Sequence, residues 1–249
     1  MNTYKRLFAF GCSFTSYNWP TWPDIIKYDL QIPTENWGLC GQGNVGIMHR
    51  MVEADIKNSF NEDDLIITVW STWHREDRYF GSWTLNGNIF NDEIMYDKHF
   101  KKKFWSLEND IVKNAGSIIA ANKMFNINYQ TNIVELEDDI YSNNDLYKFY
   151  ESHLPKKIFP WNHNDNKIDN AFEGELNLDN HPDIKGHLLF VKDHVYPDLG
   201  LTMRSETVDY FTELQNTVIT NLKKADINTW DDHAAFFKSM GWHRRYIGF

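Results

Sequence analysis

The sequence predicts an α/β domain, a parallel sheet covered by helices on both faces, and three observations carry that prediction. Short apolar runs end in turns of small residues, and segments with helical periodicity follow them. The most apolar of these runs, Leu65-Ile66-Ile67-Thr68-Val69-Trp70, is nearly continuous in apolar and β-branched residues, as suits a central strand buried on both faces. Strands and helices alternate along the chain, the pattern of a parallel sheet.

Residues 7–10 form the first apolar run, a buried strand breaking into the tight turn Gly11-Cys12-Ser13-Phe14-Thr15. Thr21 precedes Trp22-Pro23-Asp24, a helix start with proline in its first turn and an acid nearby. Residues 36–40 read as a second strand, followed by Gly41-Gln42-Gly43-Asn44, in which Asn44 is the expected helix cap. Met48, Val52, Ile56 and Phe60 then recur every four residues, which assigns them to one helical face. The longest helical pattern runs from Ser106 to about residue 125, with Ile111, Val112, Ala115, Ile118 and Ile119 expected on its inner side. A fourth strand is expected within residues 127–136. Residues 138–180 are rich in Asn and Asp and read as a long irregular excursion with a short helix near Leu146, the sort of loop that borders a site. Beyond Pro182 the chain is again helical, through Leu188-Leu189-Phe190-Val191 and residues 208–222, while residues 230–249 receive no assignment.

Composition bounds the function. The chain has 249 residues, enough for one sizeable core, with 42% hydrophobic and 24% charged residues, which argues against disorder. A formal net charge of −10 repels phosphate backbones and anionic lipid, so neither nucleic acid nor a membrane surface is an expected partner. The one basic run, Lys101-Lys102-Lys103, reads as a solvated face ahead of a helix. Ten tryptophans either fill the core or stack on sugar rings. Two cysteines are too few for a disulfide scaffold, so a reducing compartment is the default. No apolar run reaches membrane-spanning length, and Leu7-Phe8-Ala9-Phe10 after Lys5-Arg6 is too short for a signal peptide. A cytoplasmic protein is expected. His163, His181, His187 and His194 fit no standard ligand spacing, so no metal or other cofactor is expected, and His187 and His194 read as decorating a helix.

In a parallel α/β sheet, ligands bind beyond the carboxyl ends of the strands. Three segments fall there. In Gly11-Cys12-Ser13-Phe14-Thr15, glycine permits a sharp turn and a following helix N-terminus would favour developing negative charge; the same residues also suit a plain strand-to-helix turn. Asn36-Trp37-Gly38-Leu39-Cys40-Gly41-Gln42-Gly43-Asn44 exposes backbone N–H groups that can point at an oxyanion, or is a turn plus an Asn cap. Trp70-Ser71-Thr72-Trp73-His74-Arg75 crowds polar and aromatic residues where they could line a pocket. Downstream, in Asp179-Asn180-His181-Pro182-Asp183-Ile184-Lys185-Gly186-His187, an acid precedes a histidine, an arrangement that can hold an imidazole in one tautomer for general-base work.

These four segments, in this order, resemble the sequence blocks of the SGNH/GDSL hydrolases. Gly11-Cys12-Ser13-Phe14-Thr15 is similar to the first block, Asn36 with Gly41 to the second, and Asp179-x-His181-Pro182 with Gly186-His187 to the last. The Asn-, Lys- and Ile-rich texture, with Gly11-Cys12-Ser13-Phe14-Thr15 and a Trp-containing third segment, also resembles phage-encoded members, which implies a virion-associated protein as the alternative to a cytoplasmic one. The resemblance spans residues 7 to about 195. It implies a three-layer flavodoxin-like fold over residues 1–195, leaving residues 196–249 as a helical extension packed on the same domain. It also implies Ser13 as nucleophile, His181 as base, Asp179 as acid, and the Ser13 and Gly41 amides as oxyanion donors. Cys12 and Cys40 would then lie on adjacent strand ends, close enough to pair outside the cell.

Three departures stand out. Cys12 replaces the usual Asp, and a thiolate there is a competing nucleophile. Leu178 stands where the acid is usual, so either Asp179 would take its role or His181 would rely on a backbone carbonyl. The third block lacks its Asn, for which Thr72, His74 or Asn44 is the expected substitute donor. The expected function is a serine esterase acting on small acyl esters such as an acetyl ester on a carbohydrate, with Trp70, Trp73, His74 and Arg75 contacting substrate. The alternative is a non-catalytic protein of the same fold, with the C-terminal extension as a surface for homo-oligomerisation or docking to a larger assembly.

Overall fold

The structure is a computed structural model of the chain. It describes residues 4–79, 81–83, 89, 96, 98–133, 141, 143–160, 181–225 and 230–242. Four strands, β1 (Arg6–Gly11), β2 (Thr34–Asn36), β3 (Asp64–Trp70) and β4 (Tyr129–Asn132), form one parallel sheet in the order β2-β1-β3-β4. The register aligns Gly11 with Val69, so the turns after β1 and β3 leave the sheet side by side. The helices are α1 (Trp22–Leu30), α2 (Asn44–Asn58), α3 (Lys98–Phe104), α4 (Leu107–Met124), α5 (Asp145–Glu151), α6 (Ile184–Phe190), α7 (Ser205–Leu222) and α8 (Trp230–Ser239). A π-helical turn, Val191–Val195, and a last turn, Tyr196–Asp198, prolong α6. Among the described residues no helix is long and apolar enough to cross a membrane.

Strand alternation sorts the core into two layers. Leu7, Ala9, Leu65, Ile67 and Val69 point to one face, covered by α1, α6 and α7. Phe8, Phe10, Ile66 and Trp70 point to the other, covered by α2 and α4. Each fully buried large side chain contributes about 1.5–3 kcal/mol. The architecture is thus a three-layer α/β sandwich around a parallel sheet, as the alternation of strands and helices predicts.

Local expectations fare unevenly. Thr21 caps α1 as predicted, its N–H donating to Asp24 Oδ2 at 2.9 Å. Ser106 caps α4, accepting from Asn109 N at 3.1 Å. The second strand lies earlier than expected, at Thr34–Asn36. Residues 37–39 stay tied to β1 only through Trp37 N to Ala9 O and Leu39 N to Gly11 O. Asn44 is not the cap of α2; Gly43 is, and Asn44 is the first helical residue. The stripe Met48, Val52, Ile56, Phe60 is not the buried face either. Ile56 is 75% exposed, while Ile47, Met51 and Ala54 are buried. Steps of four overshoot a 3.6-residue turn by roughly 40°, so such a stripe drifts off the core, whereas mixed three- and four-residue steps hold it there. In α4 the same correction applies to Val112, which is exposed, and the inner face instead includes the polar residues Asp110, Asn114 and Ser117. Lys101, Lys102 and Lys103 lie within α3, in its last turn, where cations complement the helix C-terminus.

The residues after 195 share the first core layer through Phe211, Val218, Leu222 and Phe237. Buried Asp29 on α1 fastens them, accepting from Tyr196 Oη at 2.8 Å, Arg204 N at 3.0 Å and Thr207 Oγ1 at 2.6 Å. Phe237 of α8 packs 5.5 Å from Trp19, ring centre to ring centre.

Candidate active site

Ser13 sits on a folded turn directly beyond β1. Thr15 N and Ser16 N both donate to Cys12 O, at 2.9 and 3.1 Å, which turns the chain back on itself. Gly11 makes that possible at φ 153°, where an added Cβ would fall 2.2 Å from Thr15 Oγ1 and 2.8 Å from Val69 O. Thr15 is locked in turn by Trp22 Nε1 on its hydroxyl and by Thr21 Oγ1 and Asn36 Nδ2 on its carbonyl. The helix that follows the turn begins at Trp22, where Thr21 and Pro23 predict it. Cys12 is fully buried in the first core layer, which removes it as a competing nucleophile. Cys12 and Cys40 are both free thiols.

The same loop seats His181 from far along the chain. Its ring stacks on Tyr17, with centroids 4.1 Å apart and planes 12° from parallel, and lies 5.4 Å from Phe14, the residue after Ser13. Trp19 Nε1 donates to Pro182 O at 2.9 Å and fixes the start of α6, which Asp183 caps through Gly186 N. Ser13 and His181 therefore come to one end of the sheet. No hydrogen bond joins Ser13 to His181. Asp179 lies outside the described residues, as do Leu178 and His163.

His187 is not a helix decoration. It is fully buried, 5.8 Å from Phe159, with neither ring nitrogen hydrogen-bonded. Burial, with a smaller push from neighbouring His181, lowers its pKa from 6.5 to about 3. Below pH 6.5 the unfolded chain takes up a proton that the folded protein refuses. Stability contributed by neutral His187 is therefore complete above about pH 6.5 and is lost as pH falls toward 3, at about 1.4 kcal/mol per unit. A His187→Phe variant is expected to show a flatter thermal midpoint between pH 6.5 and 4; equal slopes would count against this assignment.

The second loop carries fewer free donors than its glycines suggest. Gly43 N and Gly46 N donate to the two carboxylate oxygens of Asp77 at 2.7 and 2.8 Å. That carboxylate caps α2, and its burial pushes its pKa up against the opposing pull of those amides. Gln42 N donates to Leu39 O. Gly41, at φ 76°, keeps an N–H with no partner among the described residues. Asn44 is not available to an oxyanion, because its Nδ2 donates to Ser71 O at 3.1 Å and to Asn114 Oδ1 at 2.9 Å while its Oδ1 accepts from Ser71 N.

The third loop corrects the substrate contacts. Trp70 and Trp73 are 0% and 1% exposed; both face the second core layer and offer no stacking surface. A strand buried on both faces sends even its terminal aromatic inward. His74 Nδ1 lies 3.0 Å from Asp110 Oδ2, which also accepts from Trp105 Nε1 at 2.8 Å, and Tyr141 Oη is 2.9 Å from His74 Nε2. Arg75 Nη1 donates to Gln42 O at 2.8 Å and so ties the third loop to the second. Ser71 Oγ, Thr72 Oγ1 and Arg75 Nε are buried without hydrogen bonds. Sequence reasoning missed Asp77, Asp110 and Asn114. The polar residues 110, 114 and 117 beside the apolar stripe of α4 signalled the last two, and no local pattern signalled Asp77.

The fold and site together define a three-layer α/β protein with a serine turn, an imidazole and a glycine loop gathered beyond the strands' carboxyl ends. No family model matches the chain, and no curated protein matches it. Among solved structures it is similar to one from Desulfitobacterium hafniense described as a lipolytic protein of the G-D-S-L family. The two are 15% identical over 79% of this chain and 99% of that chain, with a TM-score of 0.38.

Proposed function

We propose that this chain is a serine esterase acting on small acyl esters. The observation that carries the reading is the seating of His181 against Tyr17 and Phe14, on the very turn that holds Ser13. Ser13 Oγ attacks the ester carbonyl while its proton passes to His181. The carbonyl π-electrons move to oxygen, and the negative charge is met by the Ser13 and Gly41 amides and by the Thr72 hydroxyl. Collapse breaks the bond to the alcohol, which leaves with the proton from His181. Water, deprotonated by His181, then releases the acid and restores Ser13. Asp179 takes the orienting role toward His181 in this scheme. The carbohydrate part of the expectation rested on Trp70 and Trp73, and their burial removes its support. Arg75 is a tether between loops before it is a substrate contact.

The test uses the purified chain with a chromogenic acetyl ester and a serine-directed fluorophosphonate. Labelling at Ser13 that is abolished in Ser13→Ala, accompanied by ester turnover, supports the proposal. A folded protein that neither labels nor turns over points instead to a binding role.

A further inference from the structure

His181 belongs to a chain of touching aromatic rings that reaches to α8. Its ring lies on the face of Tyr17, 4.1 Å away and 12° from parallel. Tyr17 meets Trp19 edge to face, with centroids 4.5 Å apart and planes at 72°. Trp19 acts twice: its indole N–H donates to the carbonyl of Pro182, the residue after His181, and its ring packs on Phe237 of α8. Tyr17, Trp19 and Phe237 are all buried, so packing fixes each ring, while His181 is only partly buried. Tyr17 and Trp19 share their loop with Ser13, so one loop mounts both the hydroxyl and the surface on which the imidazole rests. Stacking and hydrogen bonding restrain such a ring differently. A hydrogen bond to one ring nitrogen sets the tautomer but lets the ring tilt about that bond, and a flat aromatic surface removes the tilt. The π face of the surface also attracts positive charge.

We infer that Tyr17 is a positioning residue: it fixes the plane of the His181 ring and stabilises the imidazolium formed when Ser13 gives up its proton, while Trp19, braced by Phe237, holds Tyr17 in place. This role rests on the esterase reading and deepens it. It also gives α8 a part in the reaction, as the outer brace of the base. Positive charge reaches the ring only as the proton moves, so Tyr17 lowers the barrier without tightening ester binding and acts on kcat rather than KM. A ring already held in its working plane need not be ordered at each turnover.

Tyr17→Leu and Tyr17→Phe test it, read by ester kinetics per labelled Ser13 and by the proton NMR signal of the His181 ring. In wild type the Cε1 proton of His181, assigned by its absence from His181→Ala, is expected upfield of an exposed histidine's, because the ring current of Tyr17 shields it. Tyr17→Leu is expected to lose that displacement and to lower kcat about 10- to 100-fold with KM nearly unchanged. Tyr17→Phe keeps the ring and is expected to retain both. A tyrosine that merely fills space would lower Tm in the leucine variant and leave kcat per labelled serine as it was. The wild-type signal needs no variant of Tyr17, so an undisplaced resonance overturns the role even if Tyr17→Leu does not fold. Full kcat in folded Tyr17→Leu, with wild type labelled and active, also overturns it and leaves the esterase reading standing. Wild type that neither labels nor turns over removes both.

Discussion

Replacing His181 with alanine is expected to lower turnover of an activated acetyl ester by about 10⁴- to 10⁶-fold, the loss typical when the base of a serine nucleophile is removed. Without the imidazole, Ser13 must lose its proton to water, and a hydroxyl is a weak nucleophile at its own pKa. Stability should hold, because His181 is only partly buried and its ring stacks on the surface of Tyr17 rather than filling the core. A thermal midpoint near wild type alongside collapsed turnover is the expected pair of measurements. Residual rate comes from the oxyanion donors alone. An active His181→Ala protein would require another base, and His74, paired with buried Asp110 at 3.0 Å, is the histidine to replace next.

Gly11→Val is expected to be the most destabilising single change in the turn, costing about 3–5 kcal/mol and lowering Tm by roughly 10 °C or more. The backbone there has φ 153°, and the new side chain would meet Thr15 Oγ1 and the carbonyl of Val69 in the central strand. Neither neighbour can yield: Thr15 is held by Trp22, Thr21 and Asn36, and Val69 by the ladder to β1. Gly200→Ala is the control. Its φ is 66°, yet nothing lies within 4 Å of the added Cβ, so only the backbone preference is lost, about 1–2 kcal/mol. Equal losses in the two variants, measured by denaturant unfolding, would mean that the crowding around Gly11 is not what demands a glycine.

Much of the framework was legible because it depends on neighbours in the chain. The apolar run before Gly11, the proline in the first turn of α1, Ser106 ahead of α4 and the continuous apolar residues of β3 each announce an element through local backbone and burial preferences. The Ser13 turn and the His181 segment were legible for the same reason, as short motifs next to element ends.

Other features depend on residues that meet only after folding. Asp77 caps α2 from 34 positions beyond Gly43, and that capture withdraws two of the amides a glycine-rich loop seems to offer. Asn44 bonds to Ser71 and Asn114, 27 and 70 positions away, and so belongs to the scaffold. The tryptophans of the third loop could equally have faced solvent, since composition does not say which side of a strand end is covered. His187 reads as a helix-surface residue until Phe159 and the His181 segment close over it.

By itself the sequence determined the class of fold, the position of its serine turn and the segment carrying the imidazole, because hydrophobic periodicity and turn chemistry act over a few residues. Only the tertiary structure decided which polar groups remain unpaired beside that turn. Hydrogen-bond partners are allotted by distance in space, and at the end of this sheet they come from loops tens of residues apart.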